Sequence, residues 1–161
     1  MPTPESPSAE ARLAALGIEL PPVPRPAANY VACTRSGRLV FLSGQGPIVG
    51  GEVVWRGKVG AELSEEQGYQ AARLTILNSL AILRQELGSL DKVTRIMKLL
   101  AWVRCVDGFQ RQHLVVNGAS DLLVEVFGEA GRHARSAVAA HELPFGIPVE
   151  IELVAEVDAS A

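Results

Sequence analysis

The segment from residue 64 to residue 88 constrains the fold of this chain more than any other part of its sequence. Ser64 is followed three residues later by Gln67, which is the spacing of a capping box in the first turn of a helix. Apolar side chains then recur at helical spacing, and Gly88 stands where a glycine commonly ends a helix. The sequence therefore predicts one long amphipathic helix, whose apolar stripe has to pack against another layer.

Several other segments have the composition and alternation of β-strands. Residues 93–106 are apolar and rich in β-branched side chains, which predicts a long central strand. Residues 149–157 alternate apolar with mostly acidic side chains, as in a strand with one core face and one polar face. Residues 30–34 and 38–43 flank Gly37, and this arrangement predicts an antiparallel hairpin.

Two further helices and a short strand complete the outline. Ser8 can cap a short helix over residues 9–16, and a second amphipathic helix is predicted over residues 118–127. Residues 52–55 are predicted to form a third short strand. This order of elements indicates an α+β fold, with a single mixed β-sheet and two helices packed on one face. The other face needs a cover, for which self-association is the natural candidate.

Size and charge narrow the class of protein. A chain of 161 residues and 17.1 kDa is long enough for one well-cored domain and too short for two ordinary ones. A formal charge of −3 and a pI near 5.6 predict no general attraction to a phosphate backbone, so nucleic acid is not an expected partner. No segment approaches the ~18 apolar residues of a membrane span, and the N-terminus has no signal-peptide pattern. We therefore expect a soluble cytoplasmic protein that does not enter membranes.

The cysteine and histidine spacings indicate neither disulfides nor a metal site. Cys33 and Cys105 lie in apolar, strand-like runs and are expected to be reduced core thiols. His113, His133 and His141 lack the spacing of common zinc motifs, so no metal is expected.

Arg135 and Glu150 are the candidate functional pair. Arg135 lies in a strand-like run, and Glu150 stands alone between two apolar residues of the last predicted strand. A guanidinium can hold a carboxylate by two charge-assisted hydrogen bonds, and a carboxylate can take part in proton transfer. If both strands are rigid, the pair would suit a small acid and its proton chemistry. From the residues alone, a structural ion pair for Arg135 and a solvated sheet face for Glu150 are the alternatives.

Five short motifs follow one another along the chain: Tyr30, Ser43-Gly44-Gln45, Asn117, Ala134-Arg135-Ser136 and Val149-Glu150-Ile151-Glu152. Their order and gaps make residues 27–157 resemble the family variously called RidA, YjgF or UK114, in a longer branch of it. The resemblance implies a chorismate-mutase-like fold assembled as a homotrimer, with three small-molecule clefts between subunits. It also sets apart residues 1–26, a tail with a short helix and a Pro-rich connector, and residues 158–161, a C-terminal tail.

The same resemblance implies an activity and its site residues. The activity is hydrolysis of reactive 2-imino or enamine acids to 2-keto acids and ammonia, without a cofactor. Arg135 matches the arginine that holds the substrate carboxylate, and Glu150 matches the glutamate that handles the water molecule. Tyr30, Gly44 and Asn117 match positions that line the same cleft. The implied partners are a small carboxylate-bearing metabolite and further copies of the chain.

Two departures from the family pattern motivate other functions. Ala137 stands where a cysteine is common, and His133 stands where the family has a proline. A second interpretation is therefore a metabolite-binding or sensing module that keeps the cleft without turnover. A third is the endoribonuclease activity sometimes attached to the family, against which the acidic charge balance speaks.

Overall fold

The computed structural model describes residues 6–161, and these form three α-helices and seven β-strands. The first five residues of the N-terminal tail lie outside the described range. The helices are α1 (Ala9–Ala15), α2 (Glu65–Leu87) and α3 (Gln112–Phe127). None of the three is long and apolar enough to cross a membrane. The strands are β1 (Cys33–Ser36), β2 (Leu39–Gln45), β3 (Ile48–Val49), β4 (Glu52–Val53), β5 (Val93–Arg104), β6 (Ala134–Ala140) and β7 (Val149–Val157).

Five strands form one mixed sheet in the order β1-β2-β7-β5-β6. Neighbouring strands are antiparallel except β5 and β6, which are parallel because α3 provides the crossover between them. The short strands β3 and β4 pair only with each other. The expected α+β class and mixed main sheet are therefore confirmed, whereas the short strand predicted over residues 52–55 belongs to this separate small hairpin.

The helices α2 and α3 cover one face of the sheet, with α2 over β2 and β7 and α3 over β5 and β6. The Ser64 hydroxyl accepts a hydrogen bond from the Gln67 backbone N–H at 3.1 Å, and the Gln67 side chain accepts one from the Ser64 N–H at 2.9 Å. Gly88 ends α2 with a φ of 79°, in the left-handed region that glycine adopts easily. The predicted capping box and helix end are thus both present.

The short helix predicted over residues 9–16 is present as α1, with Ser8 as its cap, and it packs outside the two helices that cover the sheet. Leu13 of α1 is buried in the main core, where α1 packs against α3. Glu10 pairs with Arg84 of α2 at 2.5 Å and accepts a hydrogen bond from the Leu90 backbone N–H at 2.9 Å. Burial of Leu13 and the contacts of Glu10 together hold α1 against the rest of the fold.

The helix α3 begins at Gln112 rather than at residue 118. Arg111 precedes it and supplies no side-chain cap, so the start has no signal in the sequence. Gly118 lies inside the helix, where a methyl group would come within 2.0 Å of the Tyr69 carbonyl oxygen on α2. The glycine therefore allows two helices to cross closely and does not mark a helix start.

The strand β1 begins at Cys33 rather than at residue 30. The Tyr30 backbone N–H donates to the Ala28 carbonyl at 3.0 Å, and the Tyr30 hydroxyl accepts from the Ala27 N–H at 3.2 Å. These local bonds hold residues 27–30 in a bend, so strand pairing starts only after it.

No described helix covers the second face of the sheet, which we call the open face, and the Pro-rich connector lies only at the end near Gly44 and Glu150. Phe41 of β2 and Val138 of β6 are each 43 % exposed there. Trp102 of β5 is paired with Val138 and is half-buried beside it. Trp102 and Val138 are therefore neighbouring apolar side chains on this face, and exposed apolar side chains on an uncovered sheet face are typical of an interaction site.

Candidate functional site

An open cavity of about 950 Å³ lies where β2 and β7 meet the turn that precedes β7. Its walls come from the Pro-rich connector, the end of β2 and the turn at Phe145. Tyr30, Gly44 and Glu150, three of the five residues singled out in the sequence, line this cavity. Its volume lies in the range of small-molecule binding sites.

Glu150 projects from β7 onto the open face, in register with Trp102 of β5. Its carboxylate is half-buried and has no hydrogen-bond or ion-pair partner among residues 6–161. Burial raises the pKa of Glu150, and the neighbouring Glu152 carboxylate raises it further. A half-buried carboxylate of this kind is suited to accept a proton from a molecule bound in the cavity.

Gly44 leaves the space that the Glu150 carboxylate occupies. A methyl group at Gly44 would lie 2.5 Å from Oε1 of Glu150. The pairing of β2 with β7 shifts register between Leu42 and Gln45, which places Gly44 in a β-bulge. The Ser43 hydroxyl ties this bulge to the segment before β1 by donating to the Val31 carbonyl at 2.6 Å.

The sequence reasoning missed two parts of the cavity wall. Residues 22–25 of the connector line it, although their prolines indicate only an extended linker. Asn78 of α2 is buried at the cavity and donates from Nδ2 to the carbonyls of Gly46 and Ile48, at 2.9 and 2.7 Å. It thereby fixes the loop after β2. The sequence feature that could have indicated this role is the polar side chain of Asn78 within the otherwise apolar stripe of the helix.

Arg135 lies on β6 and faces α3. Its Nη1 donates to Asn117 Oδ1 at 2.9 Å and to Ser120 Oγ at 3.0 Å, and its Nη2 donates to the His113 carbonyl at 3.0 Å. The Nε–H and one Nη2–H have no acceptor among residues 6–161, which leaves two donors, the number that a carboxylate accepts. Ser120 was missed in the sequence because nothing in a helical serine indicates a contact with a strand.

Arg135 and Glu150 lie on opposite faces of the sheet. Leu99 of β5 pairs with Arg135 on one side and with Leu153 on the other, and residues paired in this way point to the same face. Leu153 is buried under the helices, and Glu150, three residues before it, points to the open face. The expectation that strand geometry holds Arg135 near Glu150 is therefore not met within one chain.

The five residues consequently fall into two groups. Arg135 and Asn117 contact each other under α3, whereas Tyr30, Gly44 and Glu150 line the cavity. An ion pair between Arg135 and Glu150, one of the alternatives open from the sequence, does not form within the chain.

Possible metal ligands are not grouped in the part of the chain that the structure describes. Residues 6–161 contain no cluster of three His, Cys, Asp or Glu side chains that could hold a metal ion. Cys33 and Cys105 are both free thiols. His133 contacts the Ser120 hydroxyl and the Gly131 carbonyl.

The fold and the cavity define an α+β protein with one helix-covered mixed sheet and a half-buried carboxylate in a cavity of about 950 Å³. Residues 10–157 match the family model described as "YjgF/chorismate_mutase-like, putative endoribonuclease". The chain therefore belongs to the YjgF family, and the family and chorismate-mutase-like fold expected from the sequence motifs are confirmed.

Relatives of known sequence or structure match most of the chain. Protein TCP17 from Trypanosoma cruzi is 44 % identical over 151 residues, covering 92 % of this chain and 93 % of that protein. The crystal structure of Atu1372 from Agrobacterium tumefaciens is 44 % identical with a TM-score of 0.86, covering 93 % of this chain and 92 % of that one. The structure of E. coli TdcF with bound serine is 24 % identical with a TM-score of 0.61, covering 84 % and 94 %, and this likeness concerns the fold alone.

Proposed function

We propose that this protein binds a small carboxylate-bearing metabolite in clefts between the subunits of a cytoplasmic homotrimer, and hydrolyses reactive 2-imino or enamine acids to 2-keto acids and ammonia. The observation that carries the proposal is Glu150, half-buried and unpartnered among residues 6–161 in a cavity of about 950 Å³. Family membership supports the assignment of Arg135 and Glu150 as functional positions. The bound serine of E. coli TdcF, a small carboxylate-bearing molecule, agrees with the proposed class of ligand.

A homotrimer would join the two groups of residues that one chain keeps apart. The strand β6 is at the edge of the sheet, so Arg135 lies near the periphery of the subunit. A neighbouring copy packed on the open face would bury Phe41, Trp102 and Val138 and could present its own Arg135 to Glu150. The cleft would then contain an arginine from one subunit and a carboxylate from the next.

The reaction needs a group that positions the substrate and a group that accepts and returns protons. Arg135 would hold the substrate carboxylate and so place the imine carbon beside Glu150. Glu150 accepts a proton from a water molecule as the water oxygen attacks this carbon, which gives a carbinolamine. The imine reacts in its protonated form, so after Glu150 has returned the proton to the nitrogen the C–N bond breaks and ammonia leaves, and Glu150 takes up the hydroxyl proton as the keto group forms. Because hydrolysis transfers no electrons, no redox cofactor is required.

Metabolite binding or sensing without turnover is the second candidate function. Three of the five N–H donors of Arg135 are engaged by Asn117, Ser120 and His113, so the arginine is held firmly whether or not a reaction follows. His133 and Ala137 also depart from the family pattern beside this arginine. Endoribonuclease activity is the third candidate, and the formal charge of −3 weighs against the binding of a polyanion.

Ammonia release from 2-iminobutanoate, generated in situ by an amino-acid oxidase, tests the enzymatic function. The wild type is expected to accelerate the release, and Glu150→Gln should lose most of the acceleration. Glu66→Gln, on the exposed side of α2, is the matched control and should behave like the wild type. Imine decay at the buffer rate together with calorimetric binding of 2-oxobutanoate would favour the sensing function. Cleavage of single-stranded RNA would favour the third candidate.

Mixing two inactive variants tests the position of the site between subunits. Arg135→Lys and Glu150→Gln are each expected to be inactive, because every cleft lacks one of the two groups. In randomly mixed trimers about a quarter of the clefts would combine a wild-type arginine with a wild-type glutamate. Recovery of about a quarter of the wild-type rate after co-refolding supports the proposal, and no recovery would contradict a cleft that takes its arginine from one subunit and its glutamate from the next.

A further inference from the structure

Arg135 is linked to His133 through the hydroxyl group of Ser120. The Ser120 Oγ lies 3.0 Å from Arg135 Nη1 and 2.9 Å from His133 Nε2. The Nδ1 of the same imidazole lies 2.7 Å from the Gly131 carbonyl oxygen. These contacts form one chain of hydrogen bonds from a backbone carbonyl to the guanidinium.

The direction of each bond in this chain follows from the groups involved. The Gly131 carbonyl can only accept, so the Nδ1 of His133 bears a proton and donates it. Burial, together with the nearby positive charge of Arg135, lowers the pKa of His133, so the ring is neutral at pH 7 and its Nε2 has a lone pair. Ser120 therefore donates to Nε2 and accepts from Arg135. The one hydroxyl proton of Ser120 is therefore engaged by His133 and cannot bond to a ligand.

The backbone holds both ends of this chain in place. Residues 128–131 form a short 3₁₀ turn after α3, and a methyl group at Gly131 would come within 2.2 Å of the Leu123 carbonyl oxygen. The turn therefore lies tightly against α3, and its position fixes the carbonyl that orients His133. Ser120 follows Asn117 by one helical turn, so both side chains meet Arg135 from the same face of α3.

We propose that Ser120 and His133 are positioning residues for Arg135, and that protonation of His133 turns the Ser120 hydroxyl proton towards an anion held by the arginine. When both ring nitrogens bear protons, Ser120 can accept from His133 and from Arg135 with its two lone pairs. Its own proton is then free to bond to a ligand carboxylate. This inference rests on the carboxylate-binding role of Arg135 in the proposed function. It adds the Ser120 hydroxyl as a third hydrogen-bond donor to the ligand carboxylate, and it makes ligand affinity depend on pH.

The sign of the pH dependence follows from the charges around His133. An anion bound at Arg135 offsets the positive charge that disfavours the imidazolium, so ligand binding takes up a proton at His133. Affinity should therefore rise as the pH falls through the range below about 6.5. The other charged groups near this part of the fold are Asp121 on α3, the Glu129–Arg132 pair in the turn and Arg12 on α1.

Histidine-ring NMR on the ligand-free protein tests the hydrogen-bond chain independently of any activity. His133 is expected to be the neutral Nδ1–H tautomer at pH 7, and its pKa should fall in Ser120→Ala, because the imidazolium loses a charge-assisted acceptor that is worth more than the bond made by the neutral ring. Signals of His113 and His141 provide internal references. An Nε2–H tautomer, or a His133 titration unchanged by Ser120→Ala, would overturn the inference.

Calorimetry with 2-oxobutanoate between about pH 5.5 and 8 tests the effect on the ligand. All proteins include Glu150→Gln, because the titration of Glu150 would add its own pH dependence. Affinity is expected to rise about tenfold as the pH falls, which corresponds to a rise of one unit in the pKa of His133 on binding. His133→Gln keeps an acceptor for Ser120 and should abolish this rise, whereas the control His141→Gln should retain it.

The outcomes separate this inference from the proposed function. If His133→Gln keeps the full pH dependence while Arg135→Lys loses binding, the positioning role is wrong and the carboxylate site stands. If no variant binds 2-oxobutanoate at any pH, including the Glu150→Gln parent and the wild type, the proposed function fails, and the inference about ligand binding fails with it. Thermal unfolding of each variant verifies that it is folded.

Discussion

A methyl group at Gly44 would stand 2.5 Å from the Oε1 atom of Glu150, so the carboxylate occupies the space that any side chain at position 44 would need. Several other glycines of the chain, such as Gly37 and Gly88, are in turns with positive φ. Gly44 is not among the positive-φ glycines, and space is the physical reason for glycine there. Substitution at this position therefore tests whether the location of the Glu150 carboxylate matters.

Gly44→Ala is expected to displace the Glu150 carboxylate and to abolish most imine hydrolysis. The free energy of unfolding should fall by no more than about 1–3 kcal/mol, because the carboxylate can turn into the open cavity. Activity assays and urea unfolding measure the two effects. In a Glu150→Ala background the methyl group has no carboxylate to meet, and its stability cost should largely disappear. Full activity of Gly44→Ala would show that the carboxylate position is not critical.

Glu150→Gln is expected to stabilise the protein at pH 7 and to have little effect at pH 4. Burial raises the pKa of Glu150 in the folded state, so its contribution to stability is fully present below the unfolded pKa and is lost as the pH rises through the folded pKa. Water screens this half-exposed group, and the gain at pH 7 should be only a few tenths of a kcal/mol. Thermal unfolding at both pH values measures it. A larger gain in stability at pH 4 than at pH 7 would contradict a raised pKa of Glu150.

Arg135→Lys is expected to weaken 2-oxobutanoate binding by tenfold or more, although the charge is retained. A loss of this size is on the order of one charge-assisted hydrogen bond. A lysine ammonium cannot bond to Asn117, Ser120 and the His113 carbonyl while also presenting two donors to a carboxylate. Calorimetry measures the change, with Arg132→Lys, at an exposed arginine nearby, as the control. Equal affinity for Arg135→Lys and the wild type would remove Arg135 from the site.

Val138→Glu is expected to disrupt a homotrimer, because it places a charge beside Trp102 on the open face. Sedimentation equilibrium should give three times 17.1 kDa for the wild type and a lower mass for the variant. Leu16→Glu is the matched control, since Leu16 is 45 % exposed at the end of α1, away from this face. A wild-type monomer at micromolar concentration would contradict the proposed assembly.

The elements that could be predicted from the sequence are those whose signals are local. The capping box of Ser64 and Gln67 and the glycine at position 88 define the ends of α2 without reference to any other segment. The alternation along residues 149–157 likewise placed Glu150 on the polar face of its strand. The start of α3 was missed because Arg111 is an uninformative cap and Gly118 serves a helix crossing.

The sequence by itself determined the α+β class, the family and the identity of the candidate residues, because helix and strand periodicities and short motifs are properties of neighbouring residues. Only the tertiary structure decided which of those residues meet. The register of β5 with β6 and β7 puts Arg135 under α3 and Glu150 on the open face, and no local pattern encodes a register between distant strands. The contact of Ser120 with His133 and Arg135 also depends on how α3 packs on β6. It is a long-range arrangement that only packing creates.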